Sequence, residues 1–226
     1  MTKHLSLLVT TFLLSLLFCQ CQSSQDENEE GRDYPSRETF KQIDVCMGYM
    51  NSDPQRAHHM LDSLCAERLM TKARCDYFHA MVIFSGESKL DSALVICDRL
   101  LDEKKFGDDN YLEEEICDLA SNITASVGRP LETLKYANRG IALCHGDESM
   151  RDDEATLMAR VGVAQQSLGQ TEQARNTYAR ALNLLKENNS FGDFIALISL
   201  QRKQAGLYSE SKAYDKVIEI CQDILD

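Results

Sequence analysis

Residues 155–184, ATLMARVGVAQQSLGQTEQARNTYARALNL, most constrain what this chain can become. Their apolar and small residues recur at helical spacing on both sides of Leu168-Gly169-Gln170, so the segment reads as two amphipathic helices joined by a tight turn. Gly162 and Ala174 are the small residues where the helices must approach closely, and Tyr178, Ala181 and Leu182 form the facing stripe. Two helices of this length cannot bury both apolar faces against each other alone. The unit must stack on copies of itself, which turns the rest of the chain into a search for repeats.

The search succeeds when the small residue of each second helix serves as an anchor. Ala57, Ala93, Thr133, Ala174 and Val217 follow one another at intervals of 36, 40, 41 and 43 residues. Four, seven and eight positions after each anchor the residues share one helical face. They are Leu61, Leu64 and Cys65 in the first unit and Cys97, Leu100 and Leu101 in the second. Ala137, Gly140 and Ile141 follow in the third, Tyr178, Ala181 and Leu182 in the fourth, and Cys221, Ile224 and Leu225 in the fifth. The matching first helices carry Tyr77, Ala80, Met81 and Phe84, then Cys117, Ala120, Ser121 and Thr124, then Met158, Val161, Gly162 and Gln165. Small residues mark the crossings at Ser121, Gly162 and Ala205, whereas Met81 breaks that pattern.

In its packing residues, Gly162, Gly169, Ala174, Tyr178, Ala181 and Leu182, the fourth unit resembles a tetratricopeptide repeat. The resemblance extends more weakly over residues 36–226, with longer units than that family's period of about 34 residues. It implies an all-α fold, a right-handed superhelix of about five αα-hairpins. Gly128 and Gly169 are expected past the ends of first helices, and Pro54 and Pro130 in the first turns of second helices. Ser88-Lys89-Leu90-Asp91 has the spacing of a capping box. The connections DEKKFGDDN, CHGDESMRDDE and KENNSFGDF fall between units and are expected to form an acidic, mobile edge.

The N-terminus is of another kind. Lys3 and His4 precede an apolar run, Leu5–Phe18, of 14 residues, which is too short to span a bilayer comfortably and suits a secretory leader. Leu16-Leu17-Phe18-Cys19 resembles the acylation signal of bacterial lipoproteins, with Cys19 or Cys21 as the lipid-bearing residue. Residues 1–20 are therefore expected to be a signal peptide and residues 21–35 an acidic disordered tether. The resemblance implies a bacterial envelope protein, an outer-membrane lipoprotein facing the periplasm or the exterior. A secreted chain without a lipid is the alternative. The net charge is −12, and losing residues 1–20 removes Lys3 and no acid. Such a surface repels nucleic acid.

Chemistry-bearing patterns are scarce. His58 and His59 are neighbours and point about 100° apart on a helix, so they do not chelate one metal together. His79 reads as a helix-face residue. Zinc-protease, EF-hand, phosphate-loop and nucleophile-elbow motifs are missing from the sequence, and no cofactor or metal is expected. Glu113-Glu114-Glu115 and Asp152-Asp153-Glu154 fall at the starts of first helices, where the helix dipole alone accounts for them. Cys46, Cys65, Cys97, Cys117 and Cys221 lie on apolar faces and read as small core residues, with a Cys65–Cys75 bridge as the alternative in an oxidising compartment.

The expected function is a non-catalytic scaffold for protein–protein contact, lipid-anchored, holding a peptide or partner helix in a concave groove. Groove candidates are Asp118, Asn122, Gln166 and Arg202. In tetratricopeptide adaptors a Lys and an Asn on first helices clamp a peptide carboxylate; here the Lys positions hold Phe78, Asp118, Ala159 and Arg202, so a basic or apolar partner fits better. The last helix shows Val217, Ile218, Ile220, Cys221, Ile224 and Leu225 and no polar helix after it. This suggests a stacking partner on that end, or an array cut short. In the second case the chain is the periplasmic sensor segment of a membrane-bound regulator.

Overall fold

The computed structural model describes residues 35–104, 106, 109–186, 201–206, 208–209 and 212–225. The leader, Cys19 and Cys21, the tether up to residue 34, and the connection KENNSFGDF beyond Lys186 lie outside the described residues. All regular structure in the described part is helical. In chain order the helices are α1 (Arg37–Gly48), α2 (Pro54–Ala66), α3 (Lys72–Ser85), α4 (Leu90–Glu103), α5 (Asn110–Ser126), α6 (Pro130–Cys144), α7 (Arg151–Ser167), α8 (Thr171–Lys186) and α9 (Tyr214–Leu225). Residues 201–206 are also helical. The five anchored second helices are α2, α4, α6, α8 and α9. The chain divides into two compact units, residues 1–112 and 113–226.

The first unit packs α1 on α2, α2 on α3, and α3 on α4. Ser36, Asp53 and Thr71 start α1, α2 and α3 by accepting the third backbone N–H with their side chains, each satisfying a donor the helix leaves open. Pro54 occupies the first turn of α2, as its missing N–H favours. Ala57, Leu61 and Leu64 are buried, as are Ala93, Cys97, Leu100 and Leu101. Ile43, Cys46 and Met47 line the inner side of α1, and Met50 in the turn after it is buried as well. Cys65 departs from the buried stripe: it is half-buried and joined to Cys75, with Cα atoms 6.1 Å apart. The bridge ties the end of α2 to the start of α3.

Two local expectations fail here. Ser88 does not cap α4, because it takes φ +55° and the cap falls one residue later on Lys89, with no side-chain hydrogen bond. In α3, Tyr77 and Ala80 are buried but Met81 and Phe84 are only partly so; Arg74, Phe78 and Val82 turn inward with them. In the connection before α5, two of the described residues make defined contacts. Phe106 is buried, and Asp109 accepts the Leu112 N–H through Oδ1 (2.9 Å) while Oδ2 meets the guanidinium of Arg74 at 2.8 Å. Arg74 is 1% exposed, and a guanidinium that deep needs its carboxylate.

In the first unit two histidines also meet. His58 Nδ1 and His79 Nδ1 are 2.6 Å apart. Ring centroids 4.9 Å apart with planes 22° apart fit rings joined head-on through that contact. His79 Nε2 is 3.2 Å from Asp62, and His58 Nε2 is 3.9 Å from Glu87. Glu87 is also held by Lys89 at 2.9 Å, which keeps its carboxyl below the usual range. Burial, and then the neighbouring His58, push the His79 imidazole down. The sequence draws attention to His58-His59, but residues 21 apart form the pair.

The second unit packs α6 on α7 and α7 on α8. Gly128 and Gly169 follow α5 and α7 at φ +70° and +75°. This left-handed step lets the next N–H turn back onto the helix, Arg129 to the Thr124 carbonyl and Gln170 to that of Gln165, both at 2.9 Å. Thr133 replaces the small anchor and is completely buried; its hydroxyl donates to Thr124 Oγ1 across the α5–α6 crossing (3.0 Å). Ala155, Met158, Ala174, Tyr178, Ala181, Leu182 and Leu185 form one core cluster. The connection before α7 contains a short helical turn, Glu148–Met150, capped by Asp147, and Met150 is buried. Of the five anchors, Val217 alone is only partly buried.

Candidate interaction face

Glu113, Glu114, Glu115 and Asp118 fall on the first turns of α5, and Asp152, Asp153 and Glu154 on the first turn of α7. The two first helices are neighbours in the second unit, so the acidic starts come together. Arg139 of α6 holds Glu113, with its Nη2 at 2.7 Å and its Nε donating at 2.8 Å. Arg160 of α7 holds Asp118 with a two-point grip, Nε at 2.7 Å and Nη2 at 3.0 Å. Such forked pairs fix orientation as well as charge.

Glu114 is 4% exposed. Burial, then the charges of Asp153, Asp118 and Glu115, push its carboxyl well above the usual range. Burial and the charges of Asp118, Glu115 and Asp152 raise Asp153 to about 7. Both shifts oppose the helix-dipole explanation of these residues. An N-terminal dipole supplies about 0.3–1 kcal/mol in favour of a carboxylate. Burial and like-charge repulsion act in the opposite direction at both residues. The two adjoining thiols follow: burial drives Cys117 to about 12 and Cys144 upward as well. Both are shielded core groups rather than nucleophiles.

Asp118 and Asn122 lie one turn apart on α5, and Asn122 is half-buried. Gln166 is half-buried near the end of α7, and Arg202 is exposed in the segment 201–206. Asp118 is engaged by Arg160, a residue that sequence reasoning misses; its only sequence signal is a cation two residues before the crossing glycine. Gln165, beside Gln166, accepts from the Thr177 hydroxyl at 2.8 Å and ties α7 to α8. Phe78, at a clamp position in the family, is buried in the first unit and belongs to its core. Among the described residues no group of three or more His, Cys, Asp or Glu is placed to hold a metal ion. None of their helices is long and apolar enough to cross a membrane.

No protein-family model matches the sequence, and no curated protein matches it. Solved structures do. The crystal structure of a Podosopora anserina putative kinesin light chain with nearly identical TPR-like repeats is 12% identical with a TM-score of 0.61, covering 83% of this chain and 93% of that one. The MamA RS-1 ArsTM double mutant is 11% identical with a TM-score of 0.56, covering 85% of this chain and 95% of that one. The apo form of RapI is 15% identical with a TM-score of 0.60, covering 92% of this chain but 56% of that one. At these identities the likeness concerns the fold. The chain has the all-α, tetratricopeptide-like repeat architecture that its fourth unit announced.

Proposed function

We propose that this protein is a non-catalytic scaffold that holds a peptide or a partner helix along its first helices. The carrying observation is the α5–α7 face, where ordered carboxylates outnumber the arginines that pair with them. A partner with basic side chains complements that face, and apolar contacts supplement it. Repeat arrays bind through such extended surfaces, and none of the sequence motifs of catalysis accompanies the face.

The protein is further proposed to be a bacterial lipoprotein of the cell envelope, acylated at Cys19 or Cys21. The leader pattern supports this, and so does the Cys65–Cys75 bridge, since disulfides persist in oxidising compartments. A stacking partner on α9 is part of the same reading: Tyr214 and Ile218 there are 59% and 55% exposed.

Affinity capture from native envelopes, with the lipid-bearing form as bait, tests the proposal. It expects a protein enriched from the envelope fraction and lost when Asp118→Arg replaces the wild type. Equal capture by both forms contradicts binding at this face. An acyl-chain probe that labels the wild type but not Cys19→Ala or Cys21→Ala assigns the anchor; no labelling of the wild type rejects it.

A further inference from the structure

The contact between His58 and His79 has no satisfactory neutral form. His79 Nε2 donates to Asp62 at 3.2 Å, so the uncharged ring keeps its proton there and turns a bare Nδ1 toward His58. If His58 carries its proton on Nε2, facing Glu87 at 3.9 Å, two lone pairs meet at 2.6 Å. If it carries the proton on Nδ1, its Nε2 lone pair faces the Glu87 carboxylate instead. A cation shared by the two Nδ1 atoms removes the conflict. Both nitrogens then give it a lone pair, and both Nε2–H groups point at carboxylates. Metal-ligating histidines are held in this way, with a carboxylate behind the ring. The surroundings suit a cation: Asp62 comes from α2, Asp76 from α3 and Glu87 from the turn after α3. Lys72 and Arg99 pair with Asp76, and Lys89 and Gln55 with Glu87. The His58 and His79 side chains are 21% and 19% exposed, so solvent reaches them.

We propose that His58 and His79 form a binding site for one divalent transition-metal ion, which the two Nδ1 atoms ligate and which clasps α2 to α3. This goes beyond the scaffold reading and stands or falls separately from it. Two imidazole nitrogens at about 2.0–2.1 Å from a metal lie about 2.9 Å apart at a right angle and about 3.3 Å apart in a tetrahedron. From 2.6 Å the smaller parting leads to the right angle, with the rings tilting so that their lone pairs converge. That geometry favours nickel(II) and copper(II) over zinc. Calcium and magnesium take oxygen ligands and do not suit the pair. Among the described residues no group of three or more His, Cys, Asp or Glu is placed to hold a metal ion, so the affinity rests on two imidazoles and water fills the other positions.

The test is a thermal melt of the full chain, stripped with a chelator and then given nickel(II) chloride at about pH 7.5, where imidazole is neutral and free to ligate. Nickel(II) serves as the probe because it does not oxidise thiols. Saturating nickel is expected to raise the wild-type melting temperature by at least about 3 °C, since it binds the folded state. His58→Ala and His79→Ala are each expected to lose that rise and to bind nickel at least about tenfold more weakly in calorimetric titration. His59→Ala and His145→Ala, at exposed positions, keep both. A wild type that nickel does not stabilise overturns the site and leaves a shared proton as the occupant. A rise that survives in His58→Ala or His79→Ala overturns it as well, because the metal then sits elsewhere. Should those variants fail to fold, proton NMR of wild type decides. Substoichiometric nickel is expected to broaden the ring signals of His58 and His79 before those of His59 and His145; equal broadening overturns the proposal.

Discussion

Tyr178 occupies the space where a side chain on residue 162 would be. A Cβ built on Gly162 falls 2.7 Å from the ring Cζ and 2.8 Å from Cδ1, and closer still to Cε1. Tyr178 itself is completely buried. Glycine inside a helix costs about 1 kcal/mol relative to alanine, so the contact between α7 and α8 is what retains it. Gly162→Val is therefore expected to destabilise the fold by about 2–3 kcal/mol through overpacking. In a Tyr178→Leu background the same change should cost less, since the ring is gone. Urea melts of the four proteins check this; equal costs in both backgrounds would separate the two residues energetically.

Ala174 is the counterpart on α8 and is completely buried. Ala174→Asp adds bulk and an unpaired charge at the helix crossing, which should cost roughly 3 kcal/mol or more. A melting temperature lowered by less than about 3 °C would contradict this packing.

Arg74 and Asp109 form a deeply buried ion pair in the first unit, with side chains 1% and 13% exposed. Removing the carboxylate leaves a guanidinium in the interior and also uncaps α5. Asp109→Ala is expected to cost about 3–5 kcal/mol, and Asp109→Asn less, because an amide oxygen still accepts. Equilibrium denaturation distinguishes them.

The His58–His79 contact makes the first unit sensitive to acid. Its short N···N separation admits one proton between two nitrogens, not two. His79 binds its proton less readily in the folded chain than at the unfolded value of 6.5. The unfolded state therefore takes up more protons in that range, and stability falls as pH drops from about 6.5 through the lower folded value. Above 6.5 the contribution is fully present. His79→Asn should flatten this part of a denaturation-midpoint profile measured between about pH 5 and 8; an unchanged slope would remove the pair from the account.

The Cys65–Cys75 bridge closes a loop of sequence separation 10. Chain-entropy reasoning gives about 2–3 kcal/mol for such a loop. Cys75→Ser should lower stability by that amount in non-reducing buffer, with no difference from wild type once wild type is reduced. Cys46, Cys97, Cys117 and Cys144 are buried free thiols, so in unfolded, unreduced protein they should react with a thiol reagent while Cys65 and Cys75 do not.

Much of the repeat lattice is legible in one dimension. Four of the five anchors, Ala57, Ala93, Thr133 and Ala174, are completely buried at the expected spacing. Helical periodicity is a local property, and a small residue at a crossing leaves a visible trace in the sequence. The α4 start escapes such a reading because one residue of left-handed backbone at Ser88 shifts the cap, and nothing in Ser-Lys-Leu-Asp forbids or demands that step. The acidic starts of α5 and α7 are plain in the sequence, but the helix dipole is too simple an account of them. Their burial depends on the adjacency of two helices that begin some 40 residues apart in sequence.

The chain alone determined the helices, their pairing into hairpins, the glycines that end α5 and α7, and the excess of acid. Each of these follows from neighbours within a few turns. Tertiary structure decided which charges are paired and which are buried. It set Arg160 against Asp118, Arg74 against Asp109 and His58 against His79, and it buried Glu114 among the like charges of Asp153, Asp118 and Glu115. Those outcomes depend on distance and solvent exclusion between helices far apart in sequence, and a carboxylate's behaviour is governed by those two quantities rather than by its place in the chain.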